Sequence, residues 1–153
     1  IFLNLNMRFA IFMLVVCSAT ALDKENLKKI LISCGKEVLH DPKKIPNIWD
    51  TKVTNLKPDS GIEKYSECFL TKLKIIGEEG VIDLEIFRKQ LPVLLEKSFG
   101  EDVELEKYSD EIAKHCFPLM PTDLIPVQRV LSVRNCALNY MTAELKKKDA
   151  QIL

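Results

Sequence analysis

The sequence predicts an all-α fold, a compact bundle of about six helices braced by disulfides. Apolar residues recur at three- and four-residue steps over most of the chain, and no alternating run is long enough to make a strand. Once the first 21 residues are set aside as a secretion signal, four cysteines remain: Cys34, Cys68, Cys116 and Cys136, each within a stretch of helical periodicity. An even set of cysteines in an oxidising compartment reads as a disulfide framework.

The signal follows from the order of its parts. Met7 and Arg8 precede an apolar run over residues 9–17, and Ser18, Ala19, Thr20 and Ala21 supply the small-x-small pattern of a cleavage site. The run falls well short of the ~20 residues that a bilayer span needs. Residues 1–6 precede a plausible start methionine and read as upstream sequence or an incomplete N-terminus. The mature chain is expected to begin near Leu22, and Cys17 leaves with the signal.

The helices are expected in this order. Asp23 caps the first, in which Leu27, Ile30, Leu31, Cys34 and Val38 form the inward stripe and Lys24, Lys28, Lys29 and Lys36 stay outside it. Asp41 and Pro42 close it. Pro46 opens a short second helix around Ile48 and Trp49, and Lys57, Pro58 and Asp59 break the chain again. A third helix over residues 60–76 turns inward Ile62, Tyr65, Cys68 or Phe69, Leu73 and Ile76, with Gly77 and Gly80 in the turn that follows. Asp83 caps a fourth carrying Leu84, Phe87, Leu91, Leu94 and Leu95, where Pro92 predicts a kink or break near residues 88–91. Val103, Leu105, Tyr108, Ile112 and Cys116 mark a fifth that ends before Pro118. The last and longest runs from Asp123 or Pro126 to Lys147, with Val127, Val130, Leu131, Arg134, Leu138 and Met141 on one wide face and Cys136 and Tyr140 beside it.

Composition bounds the function. Residues 22–153 make one domain of 132 residues, and nothing repeats or forms a linker. With Arg8 removed, 21 basic residues face 22 acidic ones, which is no footprint of a nucleic-acid binder. Lys146, Lys147 and Lys148 read as the solvated end of the last helix, where cations favour the macrodipole.

Enzyme signatures are absent: there is no His-Glu-x-x-His, no Gly-x-Ser-x-Gly and no phosphate-cradling glycine loop. His40 sits at a helix end beside Asp41. His115 precedes Cys116, yet a disulfide-bonded Cys116 is no nucleophile. The turn over residues 78–83 superficially resembles half a calcium loop, but Ile75 falls at that loop's first ligand position. The cysteines are too widely separated for a zinc site built from close pairs, so no metal or cofactor is expected.

Four cysteines allow three pairings, and spacing alone does not choose between them. The order of features, however, resembles the insect odorant-binding proteins of the pheromone and general odorant-binding family, over essentially the whole mature chain. The stretches at residues 64–70 and 74–83 are similar to that family's third-helix cysteine region and its glycine-containing turn. With Cys68 as third and Cys136 as sixth cysteine, the family's second and fifth positions hold Lys64 and Val127. Both partners of one bridge are missing together, so the chain resembles the four-cysteine subgroup. The 47 residues between Cys68 and Cys116 exceed what compact members have, which leaves the course of residues 96–110 open.

The resemblance implies bridges Cys34–Cys68 and Cys116–Cys136, Lys64 facing Val127 where the third would sit, and a helical shell around an apolar cavity. It further implies a secreted carrier of small hydrophobic ligands such as odorants or pheromones, monomeric or weakly dimeric, with a membrane odorant receptor as a further partner. On the helices that contribute to the family's pocket, the wall is expected from Phe87, Leu91, Leu94, Phe117, Leu131 and Tyr140, with the Tyr140 hydroxyl as a polar handle. His115 is the candidate for pH-dependent release. Two alternatives stand beside this reading: a non-olfactory scavenger or lipid carrier on the same scaffold, and a secreted helical-bundle signalling protein acting through an exposed patch.

Overall fold

The computed structural model describes residues 23–39 and 60–151, and among them every regular element longer than an isolated bridge is helical. The expected signal segment and the expected short helix at Pro46 lie outside the described residues, as do His40 and the last two residues.

Helix α1 (Lys24–Cys34) begins as its cap dictates, with the Asn26 amide donating to Asp23 Oδ1 at 2.7 Å. Leu27, Leu31 and Cys34 are buried, and the chain continues into a wider π-helical turn, Gly35–Leu39. Helix α2 (Ser60–Lys72) buries Tyr65, Ser66, Phe69 and Leu70. It stops four residues short of the expected end. Lys74 takes a left-handed φ of 60°, its amide donates to the Thr71 carbonyl, and the Ile75 amide reaches back to the Leu70 carbonyl at 2.9 Å. These bonds satisfy the last carbonyls of α2 as a Schellman stop does, here without a glycine. A bridge between Ile76 and Ile82 then closes the turn.

Helix α3 (Leu84–Phe99) is capped by Asp83, whose Oδ1 accepts from the Ile86 amide at 2.8 Å. Of the kink or break expected near residues 88–91, the break does not occur, and the helix runs through Pro92. Pro92 offers no amide to the Arg88 carbonyl, a loss of about 3 kcal/mol in a helix interior. Burial of Phe87, Leu91, Leu94 and Leu95 at about 1.5 to 3 kcal/mol each outweighs it. Gly100, at φ 87°, ends α3, and a turn anchored by buried Leu105 leads into α4 (Glu106–Cys116), so residues 96–110 are two helix ends and a short connection. After a 3-10 turn, Phe117–Leu119, helix α5 (Pro126–Gln151) starts on a proline, which suits the first helical position because its missing amide has no partner to lose.

The helices pack in a ring. α1 lies on α2, α2 on α5, α5 on α4 and α4 on α3. An ion pair from Lys24 of α1 to Glu96 of α3, at 2.5 Å, closes the circle. Two joints are covalent: Cys34–Cys68 ties α1 to α2 and Cys116–Cys136 ties α4 to α5, each with 5.8 Å between Cα atoms. These are the pairings the resemblance implied. Closing loops of 34 and 20 residues is worth about 3 to 4 kcal/mol apiece in the chain-entropy model. The joint between α2 and α5 has no covalent bond. There Lys64 is exposed and Val127 buried, and the adjacent residues carry the polar contact, with Gln128 Nε2 donating to Glu63 Oε1 at 2.6 Å.

Replacing Lys64→Cys and Val127→Cys together is expected to form a third disulfide spontaneously, seen as loss of both free thiols. A loop of this length adds up to about 4 kcal/mol of stability, read as a rise in denaturation midpoint. Two persistent free thiols in the folded double variant would show that the α2–α5 register differs.

Candidate functional site

The expected wall residues fall into two groups. Phe87, Leu91 and Leu94 are fully buried on one face of α3, and Leu131 is fully buried on α5. Phe117, directly after Cys116, is half-buried, and its ring stacks on Phe87 with 5.4 Å between centroids and 20° between planes. The stack joins α3 to the end of α4 and is fixed by the bridge one residue away. Tyr140 stands apart from it. Its half-buried ring lies 5.5 Å from that of His115 in the seam between α4 and α5, with Glu111 and Glu144 close enough to act on its hydroxyl. Desolvation first, and those carboxylates second, raise the Tyr140 pKa above the ordinary phenol value. The hydroxyl is therefore protonated at neutral pH and able to donate.

Arg134 gives the interior its most unusual group. The sequence places it on the inward face of α5, one helical step from Leu131 and Leu138, and it is 0 % exposed. Burial pushes the guanidinium pKa down to about 10, so it remains a cation at pH 7. One nitrogen, Nη1, donates to Asn135 Oδ1 at 2.8 Å. Sequence reading assigned Arg134 its face without giving it a role. The signal was present in the pattern: a lone cation seven residues from both Val127 and Met141 falls in the middle of an apolar stripe. A guanidinium in such surroundings is a strong donor towards a carbonyl or carboxylate oxygen.

A cleft of about 230 Å³ opens where α1 meets α3, lined by Lys24, Leu27, Val93, Glu96, Lys97 and Glu101. Leu27 and Val93 make it apolar within, and Lys24 spans its rim, reaching Glu96 at 2.5 Å and Glu101 at 2.7 Å. The hydrogen bond from Lys24 holds the Glu101 carboxyl below the usual carboxylate range. Sequence periodicity gave no hint of this cleft, because residues 96–101 lie beyond the last apolar residues of the α3 stripe, Leu94 and Leu95. Among the described residues no group of three metal-ligating side chains converges, and no helix is long and apolar enough to cross a membrane.

A ring of helices pinned by two bridges around an apolar interior defines a small helical binding protein. The PBP/GOBP family model matches residues 18–140, most of the chain, and the protein belongs to that family of pheromone- and general odorant-binding carriers. Neither the curated proteins nor the solved structures contain a match to the chain.

Glu101 is depressed in the folded state, so its contribution to stability is present above its unfolded pKa and is lost as pH falls through the lower folded value. Glu37, Glu85 and Glu104, lowered chiefly by hydrogen bonds from Lys72, Arg88 and Lys107, act in the same direction. The midpoint of thermal unfolding is accordingly expected to fall between about pH 5 and pH 3. Lys24→Met is expected to make that acid limb shallower, because Glu101 loses its partner. An unchanged slope would show that Lys24 does not hold the rim in solution.

Proposed function

We propose that this chain is a secreted carrier that encloses one small hydrophobic ligand inside the helical ring and transports it through aqueous fluid. Membership of the PBP/GOBP family over residues 18–140 carries the reading. The mature protein starts near Leu22, immediately before the Asp23 cap of α1, and is released by cleavage after Ala21. It belongs to the four-cysteine subgroup, with Lys64 and Val127 in the places of the second and fifth cysteines.

The ligand lies against Phe87, Leu91, Leu94, Phe117 and Leu131, with Tyr140 at the α4–α5 seam. Burying roughly 300 Å² of apolar ligand surface contributes on the order of 7 kcal/mol before entropy costs, which suits capture and release in the micromolar range. Two donors are offered to a ligand oxygen: the Tyr140 hydroxyl, which favours an alcohol, ester or aldehyde, and the Arg134 guanidinium, which favours a carboxylate.

Displacement of a fluorescent apolar probe by alcohols, esters and fatty acids of matched chain length tests this. Long-chain ligands are expected to displace the probe. Tyr140→Phe is expected to weaken alcohols and esters by about 1 kcal/mol, close to fivefold, and Arg134→Met to weaken the fatty acid more than the matched alcohol. No displacement by any member of the series would overturn the carrier reading. Wild-type affinities in Tyr140→Phe would remove the handle alone.

A further inference from the structure

Among the described residues six large apolar side chains are strongly exposed, and five of them sit in two short segments. Val81 lies in the turn between α2 and α3, and Leu84 is the first residue of α3. Leu119, Leu124 and Ile125 belong to the connection between α4 and α5. Val81 and Leu119 are each 64 % exposed and Ile125 51 %.

The two segments touch. A Cβ added to Gly80 would stand 3.0 Å from Pro126 Cγ, so the first turn lies directly against the start of α5. On the other side Phe87, one helical turn beyond Leu84, stacks at 5.4 Å on Phe117, two residues before Leu119. The apolar side chains thus share one end of the molecule. Its backbone is fixed by the bridge between Ile76 and Ile82 and by the Cys116–Cys136 disulfide. Isolated exposed apolar residues need no explanation, but a cluster on a rigid end marks a contact surface.

Charge narrows what the surface contacts. Residues 76–86 and 117–127 contain five carboxylates, Glu78, Glu79, Asp83, Glu85 and Asp123, and no lysine or arginine. All five are exposed. Glu85 is paired with Arg88 and Lys89, and Lys74 and Arg129 stand at the margins, so the centre of the patch carries an acidic rim. An anionic bilayer is repelled by such a rim. A second copy meeting it across a two-fold axis would set the same carboxylates against each other.

We propose that this end of the protein docks a polypeptide partner whose contact surface has an apolar centre ringed by lysine and arginine. The apolar side chains then supply the buried centre of the interface, and the carboxylates set orientation and association rate. The exposed side chains of this surface are different from the buried ones proposed to line the ligand site, with Phe87 and Phe117 adjoining both, and the proposal stands whether or not the carrier reading does.

The test titrates the isotope-labelled protein, followed by NMR, with a helical peptide of leucine and lysine that has one apolar face. Its counterpart has glutamate in place of every lysine. Shifts are expected at residues 78–86 and 117–126, with the glutamate peptide at least about tenfold weaker, as expected when like charges oppose. Val81→Ser, Leu119→Ser and Ile125→Ser combined are expected to weaken the lysine peptide by about tenfold or more, the loss typical of removing an interface centre. Glu78→Lys with Asp123→Lys tests the rim separately and is expected to weaken it about threefold or more while leaving the circular dichroism spectrum unchanged. Equal binding of both peptides, shifts confined to other residues, or no loss in either folded variant would overturn the proposal. So would binding of phosphatidylserine vesicles through this end, or a dimer that the triple variant abolishes.

Discussion

The structure depends on the burial of one stripe of α5. Val127, Val130, Leu131, Arg134, Leu138 and Met141 recur at the i, i+3, i+4, i+7 spacing of one helix face and are all buried. α2 and α4 both pack on this helix, α3 is held through α4, and α1 through α2. The Cys116–Cys136 bridge fixes α5 in place, and Cys34–Cys68 does the same for the opposite side of the ring. Arg134 is the costly member of the stripe. An arginine held at 0 % exposure pays a desolvation penalty that an apolar residue would not, and its depressed pKa records that penalty.

The four joints of the ring besides the closing ion pair are of unequal strength. Two are covalent, and α3 on α4 is reinforced by Arg88 Nη1 donating to Asp110 Oδ1 at 2.6 Å. The α2–α5 joint relies on the burial of Val127 and the bond between Gln128 and Glu63. The ring therefore has covalent bonds at two joints and side-chain contacts alone at the others.

Much of this was legible in the sequence. Asp23 and Asp83 announced their helices because a cap is a local interaction three residues long, and both bonds are made. The inward stripes of α1, α3 and α5 followed from period alone, except that Leu84, at the start of α3, is exposed. What escaped was set by contacts distant in sequence or by competition between effects. The stop of α2 at Lys72 needed a left-handed lysine, which composition disfavours and which the bridge between Ile76 and Ile82 holds in place. Continuity through Pro92 needed the packing of four buried side chains to exceed a proline's local cost. Tyr140 was placed beside the inward face, but its contact with His115 depends on the pairing of α4 with α5. For Phe87, Leu91, Leu94 and Leu131 spacing gave the burial, whereas their place in a pocket wall came from the resemblance, and the Phe87–Phe117 stack joins residues thirty positions apart that no local pattern links.

The apolar interior and the family assignment lead to one central claim, that the ring closes around a single small ligand. Native mass spectrometry tests it most directly, on the mature chain with both disulfides intact, stripped of bound lipid and mixed with increasing amounts of one long-chain alcohol. The account predicts a single adduct that saturates at one ligand per chain, accompanied by a rise in unfolding temperature that grows with ligand concentration. An absence of any adduct, or a series of adducts that never saturates, would contradict it.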